Sequence, residues 1–398
     1  VSRQRSLGID AVFYLGFGLD AAYTAAFSEF YGFRVWGNFA VAGYAFAFLH
    51  TVILVLTRRQ GSRWLPVGYV VALGMVVPLL VLVFKRMTGR DWGSPAHSMT
   101  AQPEVWVIER AGRLLLSTGS PYVDLSTLTR PPVVDDYTPY SPAMALLGLP
   151  NALFGRSVVT DARVVAFVLT LAIFLVALKA LDWPTLSIRP VQFIALTTFS
   201  TLWVAVAGND MPVVALLILG AVLATRSRPE WAGLVLALAS SMKLTALPAA
   251  AVVAVALAFS WRFLVAFIGG LVVFTGLSAA VDWDAFVDNV IRFPANMAAV
   301  RSPAGSPMPG HLLQELGGSF GHVAVLVLLG LAAVGMLWWL LARPPRTTAE
   351  ILLRTGVGLG VAMLLMPATR WGYLIYPIAL LGAALYSWRP ARQLAQVG

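Results

Sequence analysis

Apolar residues run along this chain in long blocks, broken by short polar turns that hold most of its charge. Several blocks reach the ~20 residues needed to cross a bilayer as a helix. The pattern predicts spans over 10–30, 36–56, 64–84, 161–181, 191–207, 211–225, 230–242, 244–259, 263–281, 323–342, 349–366 and 372–387. The stretch 230–259 reads either as two short helices meeting at Lys243-Leu244-Thr245-Ala246-Leu247-Pro248 or as one kinked helix. Two segments break the rhythm. Residues 85–160 and 282–322 are long, polar and proline-punctuated, whereas a multi-span protein needs only short turns between helices.

Composition agrees with the pattern. Of 398 residues 59% are hydrophobic and 12% charged, against about 25% charged in soluble domains, and the mean hydropathy is +0.80. The fold class is therefore an all-α polytopic membrane protein of about twelve spans. A membrane β-barrel would instead show ten-residue segments of alternating polarity. No cleavable signal peptide is expected, because the first apolar run leads into further spans. Cysteine is absent, which excludes disulfides and thiolate metal sites. The four histidines, His50, His97, His311 and His322, are too dispersed to build a metal centre.

Charge sets an orientation. The net charge is +10, and nucleic acid is not the expected partner. Arg3, Arg5, Arg58, Arg59, Arg63, Lys179, Arg189, Arg226, Arg228, Arg262, Arg343, Arg346, Arg389 and Arg392 fall on one side of a twelve-span topology. By the positive-inside rule that side is cytoplasmic, and both termini lie there. The expected location is the plasma membrane, with 85–160, Gly208-Asn209-Asp210, the Lys243 corner, 282–322 and Thr369-Arg370-Trp371 on the outer side. Six carboxylates between Asp91 and Asp136, and three more at Asp282, Asp284 and Asp288, gather on that face.

The candidate chemistry sits among these polar groups. Pro103 can open a helix at its first turn, and Val105, Ile108, Ala111/Gly112 and Leu115 follow at helical spacing. Residues 103–117 are thus expected as an amphipathic helix lying on the outer membrane surface and ended by Gly119. Glu104 in its first turn is either a dipole cap or a general base facing a membrane cleft. Asp135 and Asp136 precede Tyr137-Thr138-Pro139-Tyr140. They read either as a base with a sugar-hydroxyl acceptor or as loop solvation. Asn209-Asp210 is a turn or a functional contact. Lys243 and Arg370, cations at the ends of apolar stretches, snorkel, pair, or hold an anionic group such as phosphate.

Taken in order, these motifs resemble the polyprenyl-phosphate-sugar-dependent glycosyltransferases of the GT-C superfamily, and within it glycosyltransferase family 87. The resemblance spans about 64–390. It rests on the 105–116 helix with Gly119-Ser120-Pro121-Tyr122, on Tyr137-Thr138-Pro139-Tyr140, on Gly208-Asn209-Asp210, and on Gly233, Lys243 and Pro248. Residues 61–398 would then form the transferase core, with 85–160 its catalytic loop, and 1–60 two additional helices. The family pattern has an aspartate before a Val-Tyr pair. Here Val105-Trp106 holds the pair's place, Gln102 falls where the aspartate would, and Glu104 lies two residues on.

The resemblance implies an inverting mannosyl transfer, without cofactor or required metal, from a polyprenyl-phosphate donor to a glycolipid or glycan of an actinobacterial envelope. Glu104, Asp135 or Asp136 would be the base. Lys243, Arg370 or Arg110 would hold the donor phosphate. Asn209, Asp210, Tyr137, Tyr140 and Gln102 would contact sugar or acceptor. A pentose donor such as polyprenyl-phosphate arabinofuranose and a lipid-linked-sugar transporter are the competing expectations.

Overall fold

A computed structural model describes residues 3–89 and 95–387. Asp91, Arg389 and Arg392 lie outside the described residues. Among those described there is no β-strand. Six helices among the described residues are long and apolar enough to cross a membrane: Tyr31–Thr57, Trp64–Met87, Ala162–Ala180, Trp261–Val281, Phe320–Ala342 and Thr348–Leu365. The other apolar blocks are also helical but shorter, as in Asp210–Thr225 and Leu244–Ala256, or more charged, as in Arg3–Phe27. The chain is thus an all-helical membrane protein.

We number the helices α1 (Arg3–Phe27), α2 (Tyr31–Thr57), α3 (Trp64–Met87), α4 (Pro103–Thr118), α5 (Ala162–Ala180), α6 (Ile188–Ala195), α7 (Thr198–Val206), α8 (Asp210–Thr225), α9 (Pro229–Met242), α10 (Leu247–Ala256), α11 (Trp261–Val281), α12 (Pro309–Ala342), α13 (Thr348–Leu365) and α14 (Ile375–Ser387). Helix α8 is the buried axis: nearly every residue from Asp210 to Ala224 is shielded from the surface. Local signals set many boundaries. Asp161 caps α5 by accepting from the Arg163 N–H at 3.0 Å. Thr347 and Glu350 form a reciprocal capping box on α13. Gly119 closes α4 in the left-handed region at φ 79°.

The run 191–207, read from the sequence as one span, is two short helices broken at Leu196-Thr197. Hydroxyls take up the backbone groups this break frees, as an apolar setting requires. Tyr44 Oη donates to the Leu196 carbonyl at 2.7 Å, and Ser200 Oγ donates to the Ile194 carbonyl at 2.7 Å. The stretch 230–259 is also two helices, α9 and α10, with Lys243 and the short turn Leu244–Ala246 between them.

Helix α4 does not lie on a surface over its first half. Val105 to Glu109, Ala111 and Gly112 are all buried. It packs on the segment Pro142–Gly148, where the backbones meet at paired glycines. A Cβ on Gly112 would sit 2.5 Å from the Gly148 carbonyl carbon. Small residues allow such close approach between membrane helices. Glu109, at the centre of this buried face, is clamped by Arg86.

Residues 1–60 are joined to the core by directional bonds. Buried Asp10 in α1 accepts from Arg63 at 2.8 Å, Gln192 at 3.1 Å and Arg189 at 3.1 Å. Trp36 Nε1 in α2 donates to the Gly74 carbonyl at 2.8 Å. A carboxylate in an apolar bundle is costly unless paired, so this cluster fixes how α1 and α2 seat against α3 and α6.

Candidate active site

Four helix ends and two loops converge on a half-open cleft. Its walls are Glu104 from the first turn of α4, Tyr140, Trp203 and Ala207 at the end of α7, Asn209 and Asp210 at the start of α8, Lys243 after α9, and Arg370, Gly372 and Tyr373 from the loop before α14. Chain geometry explains the convergence. Gly208 takes φ 78°, and a Cβ there would lie 3.0 Å from the Arg163 Cα, so a glycine corner turns the chain from α7 into α8. The Gln102 N–H donates to the Val206 carbonyl at 2.9 Å, tying the start of α4 to the same corner.

Six of the eleven residues singled out from the sequence line this cleft: Glu104, Tyr140, Asn209, Asp210, Lys243 and Arg370. They form two ion pairs. Arg370 Nη1 bonds to Glu104 Oε1. Lys243 Nζ bonds to Asp210 Oδ1 at 2.5 Å, and Tyr376 Oη donates to the same oxygen at 2.6 Å. The ammonium also lies over three tyrosine rings, 4.2 Å from the centroid of Tyr373, 5.5 Å from Tyr376 and 5.9 Å from Tyr140. Glu104 Oε2 is buried with no hydrogen-bond partner. Burial pulls the Arg370 pKa down, but Glu104 raises it further, so the guanidinium stays charged.

The other five residues lie around the cleft. Asp136 is chelated by Arg130 at 2.6 and 2.8 Å and accepts from the Val133 N–H at 2.8 Å. The Arg130 bonds keep its carboxyl below the usual range, which makes it a poor base. Arg110 donates to the Asp136 carbonyl at 3.2 Å, and burial lowers its pKa to about 10. Tyr137 stacks on Phe293 at 4.4 Å. Gln102 is buried as the residue preceding α4.

Asp135 is half-buried and close enough to feel Glu104, Arg110 and Arg370. Burial, then the Glu104 charge, raise its pKa. A carboxyl raised in the folded state binds more protons there than in the unfolded chain. Its ionised form therefore opposes folding at neutral pH, and the penalty fades as pH falls through its folded pKa. Asp135→Asn is expected to raise the thermal midpoint in detergent at neutral pH, with wild type and variant converging in acid. A variant less stable than wild type at neutral pH would contradict this assignment.

Several contributors were not legible from the sequence. Tyr376, Trp203, Arg130 and Asn289 look like ordinary aromatics or loop polar residues. Asn289 is fully buried, and its Oδ1 accepts from the Thr138 N–H at 2.6 Å. Ser306 accepts from the Trp371 N–H at 3.0 Å and donates its own N–H to the Thr369 carbonyl at 3.0 Å. The 282–322 loop thus straps both the Tyr137–Tyr140 segment and the Arg370 loop.

A helical membrane bundle with acid–base and cationic groups gathered at one end defines the class: an integral membrane protein with a polar cleft suited to group transfer. The family model for glycosyltransferase family 87 matches residues 137–367, more than half of the chain, and the protein belongs to that family. It is a membrane glycosyltransferase. No curated protein and no solved structure matches the chain. The matched range includes Tyr137, Tyr140, Asn209, Asp210 and Lys243, whereas Gln102, Glu104, Arg110, Asp135, Asp136 and Arg370 lie beyond it.

Proposed function

We propose that the cleft transfers a mannosyl residue, with inversion, from a polyprenyl-phosphate donor to a glycolipid or glycan acceptor of the cell envelope. The observation that carries this reading is Glu104: its Oε2 is buried, unpartnered and beside two cations in one cleft. An acceptor hydroxyl donating to that oxygen would satisfy it and lose its proton as it attacks the anomeric carbon. Arg370 and Lys243 supply the charge a departing phosphate needs. Asn209 and Tyr140, which line the same cleft, would contact the sugar. Glu104 is preferred to Asp135 and Asp136 as base because it alone of the three lines the cleft, and Asp136 is also held by Arg130.

The active face is assigned to the outer side of the plasma membrane. Arg58, Arg226 and Arg343 each follow the end of a helix. Helices α2 and α8 start at the cleft end, where Gly32 meets the Met99 carbonyl and Asp210 lines the cleft, so Arg58 and Arg226 mark the far end. A lipid-linked donor fits a site on the face where nucleotide sugars are absent.

The test is transfer by the purified protein in nanodiscs, supplied with radiolabelled polyprenyl-phosphate mannose or arabinofuranose and an actinobacterial lipid extract. Label moving into a new glycolipid from the mannose donor alone is the expected result. Transfer from the pentose donor alone would reassign the sugar. Tight donor binding without transfer from either would favour a carrier.

A further inference from the structure

The cleft holds two carboxylates, Glu104 and Asp210, and two cations, Lys243 and Arg370, so its formal charge is zero. The two pairs are not equivalent. Lys243 is locked between Asp210 and three tyrosine rings, and its side chain is 8% exposed. Arg370 has one carboxylate partner, stands on a loop rather than a helix, and its side chain is 27% exposed. Glu104 therefore begins with one oxygen neutralised by Arg370 and the other empty.

Resting on Glu104 as the base, we propose that Arg370 is handed from Glu104 to the leaving phosphate during the reaction. A lipid phosphodiester enters with one negative charge. The acceptor oxygen forms its bond to the anomeric carbon, the bond from that carbon to the phosphate oxygen breaks, and its electron pair stays on the phosphate. The hydroxyl proton goes to Glu104 Oε2. The departing phosphomonoester now carries two negative charges, and Glu104 carries none.

The total of cleft and ligand is −1 before and after the step; only its distribution changes. Protonation removes the charge that holds Arg370 in place as the phosphate gains the charge that attracts it. Asp210 stays ionised throughout, so Lys243 remains with its partner and cannot serve the new charge as fully. The guanidinium interacts more strongly with the transition state than with the bound donor, which is the condition for lowering the barrier. In the resting enzyme the same ion pair restrains the base until a phosphate competes for Arg370.

Binding can test this without turnover. The probes are farnesyl phosphate, a dianionic monoester, and its monoanionic methyl diester, titrated calorimetrically into protein in nanodiscs. Glu104→Gln mimics the protonated base and frees Arg370. It is expected to tighten farnesyl phosphate about tenfold, equivalent to ~1.4 kcal/mol, and the diester by less. Arg370→Gln should weaken the monoester, and the double variant should lose the gain.

The handover is overturned if Glu104→Gln leaves monoester affinity unchanged. It is also overturned if the gain persists in the double variant, since bulk charge would then be the cause. Wild type that transfers sugar while Glu104→Gln shows no tightening would sink the handover alone. Wild type that neither transfers sugar nor binds the donor would sink the active-site reading beneath it.

Discussion

Glu104→Gln is expected to lower the rate of sugar transfer by about 10²- to 10⁴-fold, the range that a positioned general base contributes. The substitution keeps the shape of the side chain but removes its charge, and with it both the capacity to take a proton and the ion pair to Arg370. Glu104 also lies in the first turn of α4, where losing a negative charge costs roughly 0.3–1 kcal/mol. Arg370, 27% exposed, can turn toward water once the pair is lost, and the burial of Val105 to Glu109 still holds α4, so the variant should fold with a modestly lower midpoint. Donor should still bind, since Lys243 remains and Arg370 is released. Initial rates with a radiolabelled lipid-linked sugar, alongside thermal unfolding, separate chemistry from stability. Activity within a few-fold of wild type would remove Glu104 as the base and move the assignment to Asp135, the nearest other carboxylate with an elevated pKa.

Why half of the site was readable from the chain follows from which side chains were out of place locally. Lys243 and Asp210 stand at the ends of apolar blocks where an isolated charge is costly, so each called for a partner, and the structure makes them partners of one another. Arg370 was conspicuous for the same reason and Glu104 as a carboxylate in the first turn of a helix, although 266 positions separate them. Tyr376 and Trp203 gave no such signal, because aromatics belong in apolar helices, and their role depends on which helix face meets the cleft. Asp136 stayed ambiguous because a carboxylate beside tyrosines reads equally as chemistry or as loop solvation. Its partner, Arg130, lies only six positions away, in a loop whose path hydropathy does not constrain. The break at Leu196-Thr197 was hidden because hydropathy averages over a run and does not register one hydroxyl rescuing a carbonyl. The placement of α4 failed on similar grounds: Glu109 is polar in composition but buried by pairing with Arg86, a residue of another helix.

That pairing carries the largest stability effect expected in the molecule. Arg86 reaches both oxygens of Glu109 at 2.7 Å and Asp161 Oδ2 at 2.8 Å, and Arg163 closes on Asp161 at 2.9 Å. Arg163 then binds the carbonyls of Thr100 and Ala205. Two cations and two carboxylates, all almost fully buried, thereby join α3, α4, the cap of α5 and the end of α7. Buried networks of this kind add little net stability when complete, but they are costly to break because the remaining charge keeps its desolvation penalty.

Arg86→Met leaves Asp161 with Arg163 alone and Glu109 with the Ala162 N–H at 3.2 Å. It is expected to cost about 3–5 kcal/mol and to lower the thermal midpoint in detergent sharply. Arg86→Met combined with Glu109→Met should recover part of the loss, since it removes the carboxylate that Arg86 leaves exposed to an apolar interior. Glu109 lies five residues from Glu104 on the same helix, so the network also sets the register of the proposed base. Transfer should therefore fall in Arg86→Met even below its unfolding temperature. A single variant within ~0.5 kcal/mol of wild type, the range of a surface change, would mean that water or a rearranged side chain satisfies these carboxylates and that the network does not hold α4 in place.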